Sequence, residues 1–241
     1  MRQVLALSFF SVIIFSSCHF MGRDRIKGDG NVTTQNRSIT DFKSVDVSSA
    51  IHLYVTQDSA FSVKVEIDNN LQEYVETYKD DEGVLHIDQR DNTNLNASQK
   101  IKVYVSAPVF AQLEASGACH IFSQNGLRSN NSININMSGA SDAELDVKAP
   151  KVSVDLTGAS SVTLKGETKD FSVGGSGSSD INCFGLMTEN TDIELSGAGN
   201  AEVFASVKLD VHVSGAADIK YKGNAVVNKE ISGAGSVKKI E

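Results

Sequence analysis

A hydroxyl residue, a glycine and a few small residues recur seven times in the second half of this chain, and that recurrence limits its fold more than any other feature. The phrase stands at Ser116-Gly117, Ser138-Gly139, Thr157-Gly158, Ser176-Gly177, Ser196-Gly197, Ser214-Gly215 and Ser232-Gly233. Successive glycines are 22, 19, 19, 20, 18 and 18 residues apart. A period near 20 belongs to stacked architectures, in which each repeat buries its apolar face on the next.

Alignment on the glycines turns the repeats into columns. Four residues before each glycine stand Leu113, Ile135, Val154, Val173, Ile193, Val211 and, out of pattern, Lys229. Four after stand Ile121, Ala143, Val162, Ile181, Ala201, Ile219 and Val237. Polar residues such as Asn136, Asp155, Glu194 and His212 alternate with the apolar ones. Period-two alternation on both sides of a tight turn describes two short strands per repeat, each with one face inward. Glycine at the turn takes positive φ freely, where another L-residue would cost roughly 1–2 kcal/mol. The small residues after it leave room for a neighbouring rung about 4.8 Å away. The expected fold is all-β: a parallel β-helix, or solenoid, of about 18–22-residue repeats over residues 113–241. A propeller blade needs about 40 residues, and leucine-rich repeats need their own leucine frame. Antiparallel pairing of the repeats into a sandwich remains the alternative.

Residues 38–112 alternate without the glycine phrase and read as a β-rich N-terminal region that caps the first rung. Val45 to Leu53 resembles a degenerate repeat with Ser49 in the glycine position. Strands are expected around Phe61–Ile67, Val84–Ile87 and Ile101–Val105, and Asn69–Tyr78 has helical spacing. Asp91–Gln99 reads as a polar loop.

The N-terminus carries an address. Arg2 precedes an apolar run from Val4 to Phe15 that is too short to span a bilayer as a helix, and Phe15-Ser16-Ser17-Cys18 follows. This resembles the lipobox of bacterial lipoproteins, with Phe15 where an aliphatic residue is usual. The expected boundaries are a signal peptide at 1–17 and a lipid-anchored flexible tether at 18–37, with Cys18 acylated. An ordinary secretory signal is the alternative. The expected location is the bacterial cell envelope, as an outer-membrane lipoprotein facing either side, with the membrane as partner through the anchor. Removing 1–17 takes Arg2 and no acid, so the net charge moves from −8 to −9. That balance argues against a nucleic-acid partner. The absence of tryptophan does not suit a site that stacks sugars on indole rings.

Three residues past each glycine runs a polar column of His120, Asp142, Ser161, Asp180, Asn200, Asp218 and Ser236. Its acids fall on alternate rungs, about 9.6 Å apart, too far to share a calcium with ligands at roughly 2.4 Å. These side chains are therefore expected to close turns by local hydrogen bonds. Cys119 and Cys183 sit three rungs apart and are expected as free, mostly buried thiols. No nucleophile motif, zinc spacing or phosphate loop is present in the sequence, so no catalytic, metal or cofactor residue is assigned.

The Ser-Gly-Ala-Ser and Ser-Gly-Ala-Gly phrases, following an alternating N-terminal part that ends at Pro108, resemble the GIN-domain family, the head domain of putative auto-transporter adhesins. The resemblance covers roughly residues 38–241. It implies a right-handed β-helix-like fold, an adhesive role with glycan or protein ligands, and no catalytic residues. A polysaccharide-acting β-helix enzyme and a structural envelope component are the alternatives.

Overall fold

The computed structural model describes residues 24–241; the expected signal segment and Cys18 lie outside the described residues. The chain is a β-solenoid of about seven turns extended by a nearly closed N-terminal mixed sheet.

Eighteen strands and one 3₁₀ turn make up the fold. The N-terminal part contains β1 (Asp24–Lys27), β2 (Val32–Arg37), β3 (Ser44–Val47), β4 (Ile51–Gln57), β5 (Ser62–Asp68), the 3₁₀ turn Asn69–Tyr74, β6 (Val75–Lys79), β7 (Val84–Gln89), β8 (Thr93–Asn96) and β9 (Ile101–Ala107). The repeats supply β10 (Gln112–Ala115), β11 (His120–Ser123), β12 (Leu127–Arg128), β13 (Ile133–Met137), β14 (Asp142–Gly158), β15 (Ser161–Phe204), β16 (Lys208–Lys222), β17 (Val226–Gly233) and β18 (Ser236–Lys239). The great length of β14 to β16 arises because the parallel ladder continues around the corners: Thr157-Gly158 pairs with Ser176-Gly177, and Ser196-Gly197 with Ser214-Gly215.

The register follows the columns. Val45 pairs with Leu113, Leu113 with Ile135, Ile135 with Val154 and Val154 with Val173. These side chains are at most 1% exposed, as are Ile121, Val162, Ile181 and Ile219 beyond the corner. Each such burial contributes roughly 1.5–3 kcal/mol, so the core is one continuous file of aliphatic layers. Lys229 breaks the file in the last described rung, where its side chain is exposed.

The corner glycines answer to two constraints at once. Gly139 has φ +81°, and a Cβ built on it would lie 2.5 Å from the Gly117 carbonyl oxygen of the rung before; Gly158 and Gly177 meet the same obstacle at 2.5 Å. Left-handed backbone alone disfavours a side chain, and the stacked carbonyl leaves no space for one. That carbonyl accepts the Ala140 amide at 2.7 Å, so the close approach is part of the ladder. Ser49 does occupy the first corner, with φ +76°, as the degenerate repeat implied. It escapes the clash because the chain below it does not turn there, and its hydroxyl donates to Asp88 at 2.8 Å.

The rungs are not stacked in chain order. Below β3 and β4 lie β7 and β9, paired in parallel with Val45 opposite Leu85 and Leu53 opposite Val103. The chain makes the β3–β4 rung, loops out through β5 and β6, and returns to slide a rung beneath it. Antiparallel partners then finish the cap, β5 on β9, β2 on β5 and β6 on β7.

Three sequence expectations need correction here. The tether assigned to 18–37 is, from Asp24 on, structured: β1 pairs with β8 and β2 with β5. Its polar side chains gave no apolar period, but buried polar groups fix it. Asp68, 0% exposed, accepts from Gly30 N and Ser98 N at 2.8 Å and from the Ser98 hydroxyl at 2.7 Å. Burial alone would raise the Asp68 pKa, yet these donors hold it below the usual carboxylate value. Gln72, also buried, donates to Thr33 O at 2.8 Å, and Arg37 Nη2 donates to Gln72 O at 2.9 Å. The helix expected at Asn69–Tyr78 stops as a 3₁₀ turn at Tyr74, since Val75–Lys79 is rich in β-forming residues and pairs with β7. The polar loop at Asp91–Gln99 contains β8.

Candidate binding surfaces

The glycine corner divides the outer surface into two sheet faces of different chemistry. On the face leading into the corner, the outward positions lie five, three and one residue before each glycine. Over the eight rungs from β3 to β17 these three columns hold serines, a threonine, amides, acids, one histidine and a single glycine, and no lysine or arginine. Seven of the positions are acidic: Asp46, Glu114, Asp155, Asp192, Glu194, Asp210 and Glu230. His212 alone among them carries an ionisable base.

Several of these acids are occupied by neighbours. Asn136 donates to Glu114 at 2.7 Å, Asn228 to Asp210 at 2.8 Å, Lys208 Nζ, from the bordering column, lies 2.5 Å from Asp210, His86 Nδ1 lies 3.2 Å from Asp46, and His212 Nδ1 lies 3.4 Å from Glu230. Asp155, Asp192 and Glu194 have no side-chain hydrogen bond or ion pair among the described residues. Between Asp155 and Glu194 the column holds Gly174, a dip within a shallow cavity of about 610 Å³ that runs from Asp155 over Glu194 and His212 to Glu230. The Asp155 carboxylate leans into this dip: its Oδ1 is 2.9 Å from where a Cβ on Gly174 would stand. Beneath, Gly175 gives its core space to Leu195, whose Cδ2 lies 2.6 Å from the corresponding point.

The face beyond the corner mixes signs. Lys220 meets Glu202 at 3.0 Å and Lys165 approaches Asp146 at 3.9 Å, each across adjacent rungs. At its cap end it carries a ladder of rings. Tyr54 stacks between Tyr104 and Phe122 at centroid distances of 5.1 and 5.4 Å, and His52 stacks on His120 at 4.5 Å. The rings cover one another's faces, so the column stabilises its rungs. Sequence order hid it, because Tyr104 follows Tyr54 in the chain but lies beneath it in the stack.

The polar column three past the glycine bonds between rungs rather than within turns. Ser161 donates to Asp142 at 2.8 Å, Asn200 to Asp180 at 3.0 Å and Ser236 to Asp218 at 2.6 Å, and His120 Nδ1 lies 3.1 Å from Asp142. Turn closure falls instead to the residue two past the glycine: Ser141 donates to Ser138 O at 3.0 Å and Ser160 to Thr157 O at 3.1 Å. Cys119 and Cys183 are free and buried. Burial pushes their thiols up to about 11 and about 12.

A second groove, of about 1040 Å³, follows the far corner of the repeats. Its lining includes Ala149, Met187, Thr188 and Phe204 with both signs of charge, Arg128, Lys148 and Lys169 beside Glu167 and Glu189, and Lys148 lies 2.7 Å from Glu167. Met187 and Val207, which adjoins the groove, are about half exposed. In the cap, His86 bridges two carboxylates, with Nε2 2.8 Å from Asp80 and Nδ1 3.2 Å from Asp46, and Tyr78 stacks on its ring. Among the described residues no three metal-ligating side chains converge.

Comparison with known proteins agrees with this architecture. A putative adhesin from Bacteroides fragilis superposes with a TM-score of 0.82 at 19% identity, covering 89% of this chain and 100% of its own. A putative lipid binding protein from Parabacteroides distasonis superposes at 0.76 with 23% identity, covering 90% and 100%. A putative adhesin from the same species reaches 0.71 with 27% identity, again covering 90% and 100%. None of these three is named as an enzyme. No curated protein matches the chain. The family model described as putative auto-transporter adhesin, head GIN domain, matches residues 41–225, and the chain belongs to that family.

Proposed function

We infer that the protein is a lipid-anchored envelope protein of the bacterial outer membrane, whose solenoid is a non-catalytic surface for adhesion. The observation that carries this reading is the unbroken sheet face before the glycine corners, which repeats one chemistry over eight rungs. A binding protein gains from such repetition, because many weak contacts at fixed spacing add along a rigid body. Catalysis needs a few groups converging on one point, and the polar residues here lie in parallel columns. The family description and the adhesin names of its relatives support the same reading. The segment ending at Cys18 supports the anchor.

The test is protease shaving of intact cells with Cys18→Ala as control. Surface adhesion requires that the wild-type chain be cut from outside and that the variant leave the membrane fraction. A chain never reached from outside would end the adhesive reading. A second reading, amphiphile binding, draws on the exposed Met187 beside Phe204 in a groove that also holds Arg128 and Lys169, and on the lipid-binding name of one relative. Co-purifying lipid, lost in Met187→Asp, would favour it.

A further inference from the structure

The acidic sheet face deepens the surface-binding reading, and rests on it, by pointing to the chemistry of the partner. We propose that this face docks a basic, extended polypeptide segment, with a lysine or arginine side chain of the partner seated in the dip at Gly174.

Three independent features converge on that occupant. The first is charge: seven carboxylates and no lysine or arginine occupy three columns over eight rungs, and the lysines bordering them, Lys151 and Lys208, stand one column further from the corner, where Lys208 takes up Asp210 alone. A surface dominated by one sign steers partners of the other.

The second feature is the dip. Asp155 and Glu194 stand two rungs apart, about 9.6 Å, with the bare backbone of Gly174 between them. Both lack a side-chain partner among the described residues, and Asp155 Oδ1 already leans over the gap. A lysine at position 174 would complete an alternating acid–base–acid column; in its absence, an ammonium or guanidinium supplied in trans fits the same place. The cavity of about 610 Å³, lined also by the hydroxyls of Thr157, Ser176 and Ser196, is roomy enough for a long side chain and its hydrogen bonds.

The third feature is spacing. Along each rung the outward columns are two residues apart, about 7 Å, which is the interval between same-side residues of an extended chain. A segment lying along the rungs therefore meets the three columns in register, and the face offers that match over about 34 Å of stacked rungs. A small polyamine would use only the dip.

The purified full chain in detergent is titrated, at low salt, with a fluorescein-labelled peptide alternating lysine and threonine, and with its glutamate–threonine counterpart. The lysine peptide is expected to bind and the glutamate peptide not to. Asp155→Asn with Glu194→Gln should weaken binding about tenfold, the effect of losing two surface charge pairs. Gly174→Lys should weaken it at least as much, because it fills the dip from within. Glu144→Gln, on the opposite face, should leave it unchanged, and urea midpoints of all variants verify folding. Absence of lysine-peptide binding would overturn the proposal. So would an equal loss in Glu144→Gln, which would mark a net-charge effect, or displacement of the peptide by spermidine at concentrations near the peptide's own Kd, which would mark a polyamine site. The measurement is independent of where the protein resides, so its failure and a failure of the shaving experiment are separate results.

Discussion

Replacement of Gly139 by alanine isolates what the corner column contributes. Two costs are stacked at this position. The first is backbone: φ is +81°, and a side chain there costs roughly 1–2 kcal/mol. The second is steric, because the new Cβ would lie 2.5 Å from the Gly117 carbonyl oxygen and 3.0 Å from its nitrogen. Relief requires the two rungs to part, which lengthens the 2.7 Å bond from Ala140 N to Gly117 O. Overpacking of this kind costs about 1–3 kcal/mol, giving a total of about 2–5 kcal/mol. Gly30 is the matched control, with the same φ of +81° and nothing within 4 Å of its would-be Cβ. Gly30→Ala should therefore carry only the backbone cost, about 1–2 kcal/mol. Urea unfolding followed by far-UV circular dichroism compares the two midpoints. Equal shifts would refute the steric half of the argument and reduce the glycine column to a matter of φ.

Other outcomes follow from the same structure. The hydrogen bond to Asp80, with help from Asp46, raises the His86 pKa. Its stabilisation is then complete below the unfolded value of about 6.5 and is lost as pH rises through the folded value. The urea midpoint should fall across that window in wild type and much less in His86→Phe, and a His86 ring titrating at or below the unfolded value would contradict this. Tyr54→Leu removes two ring stacks and should destabilise by about 1–3 kcal/mol; a double-mutant cycle with Phe122→Leu should show coupling. Cys119 and Cys183, whose thiols are pushed up to about 11 and about 12, should resist alkylation at neutral pH in the folded chain and react once it is unfolded.

The repeats were legible because each rung restates the same demands at the same spacing. Ser49 could be placed in the corner column from its flanking Val45 and Leu53 alone. The cap was only partly legible. β2 holds one aliphatic residue, Val32, and its place is fixed by backbone pairing and by Gln72 and Asp68, residues 35 or more positions away from some of their partners. Such bonds have no local period to betray them. The Leu71–Val75 pair suggested a helix because a 3₁₀ turn running into a strand buries both. As for the binding face, Asn136, Asp155, Glu194 and His212 were visible as polar positions between apolar ones. Their common lack of lysine and arginine emerges only when neighbouring columns are laid side by side on one surface.

The out-of-order rung in the cap has a consequence for how the molecule is made. By Ala107 the chain has built β3 and β4 and already closed their lower side with β7 and β9. From then on only one growing edge is open: β10 and β11 dock on β3 and β4, 68 residues behind them, and each rung after that finds its template about 20 residues behind it. Assembly beyond the cap can therefore advance in one direction, rung by rung from the N-terminal side, with no need to hold distant segments apart. The cap is a seed that enforces polarity, and a chain cut just before β7 would expose a template with two open edges and no preferred direction of growth.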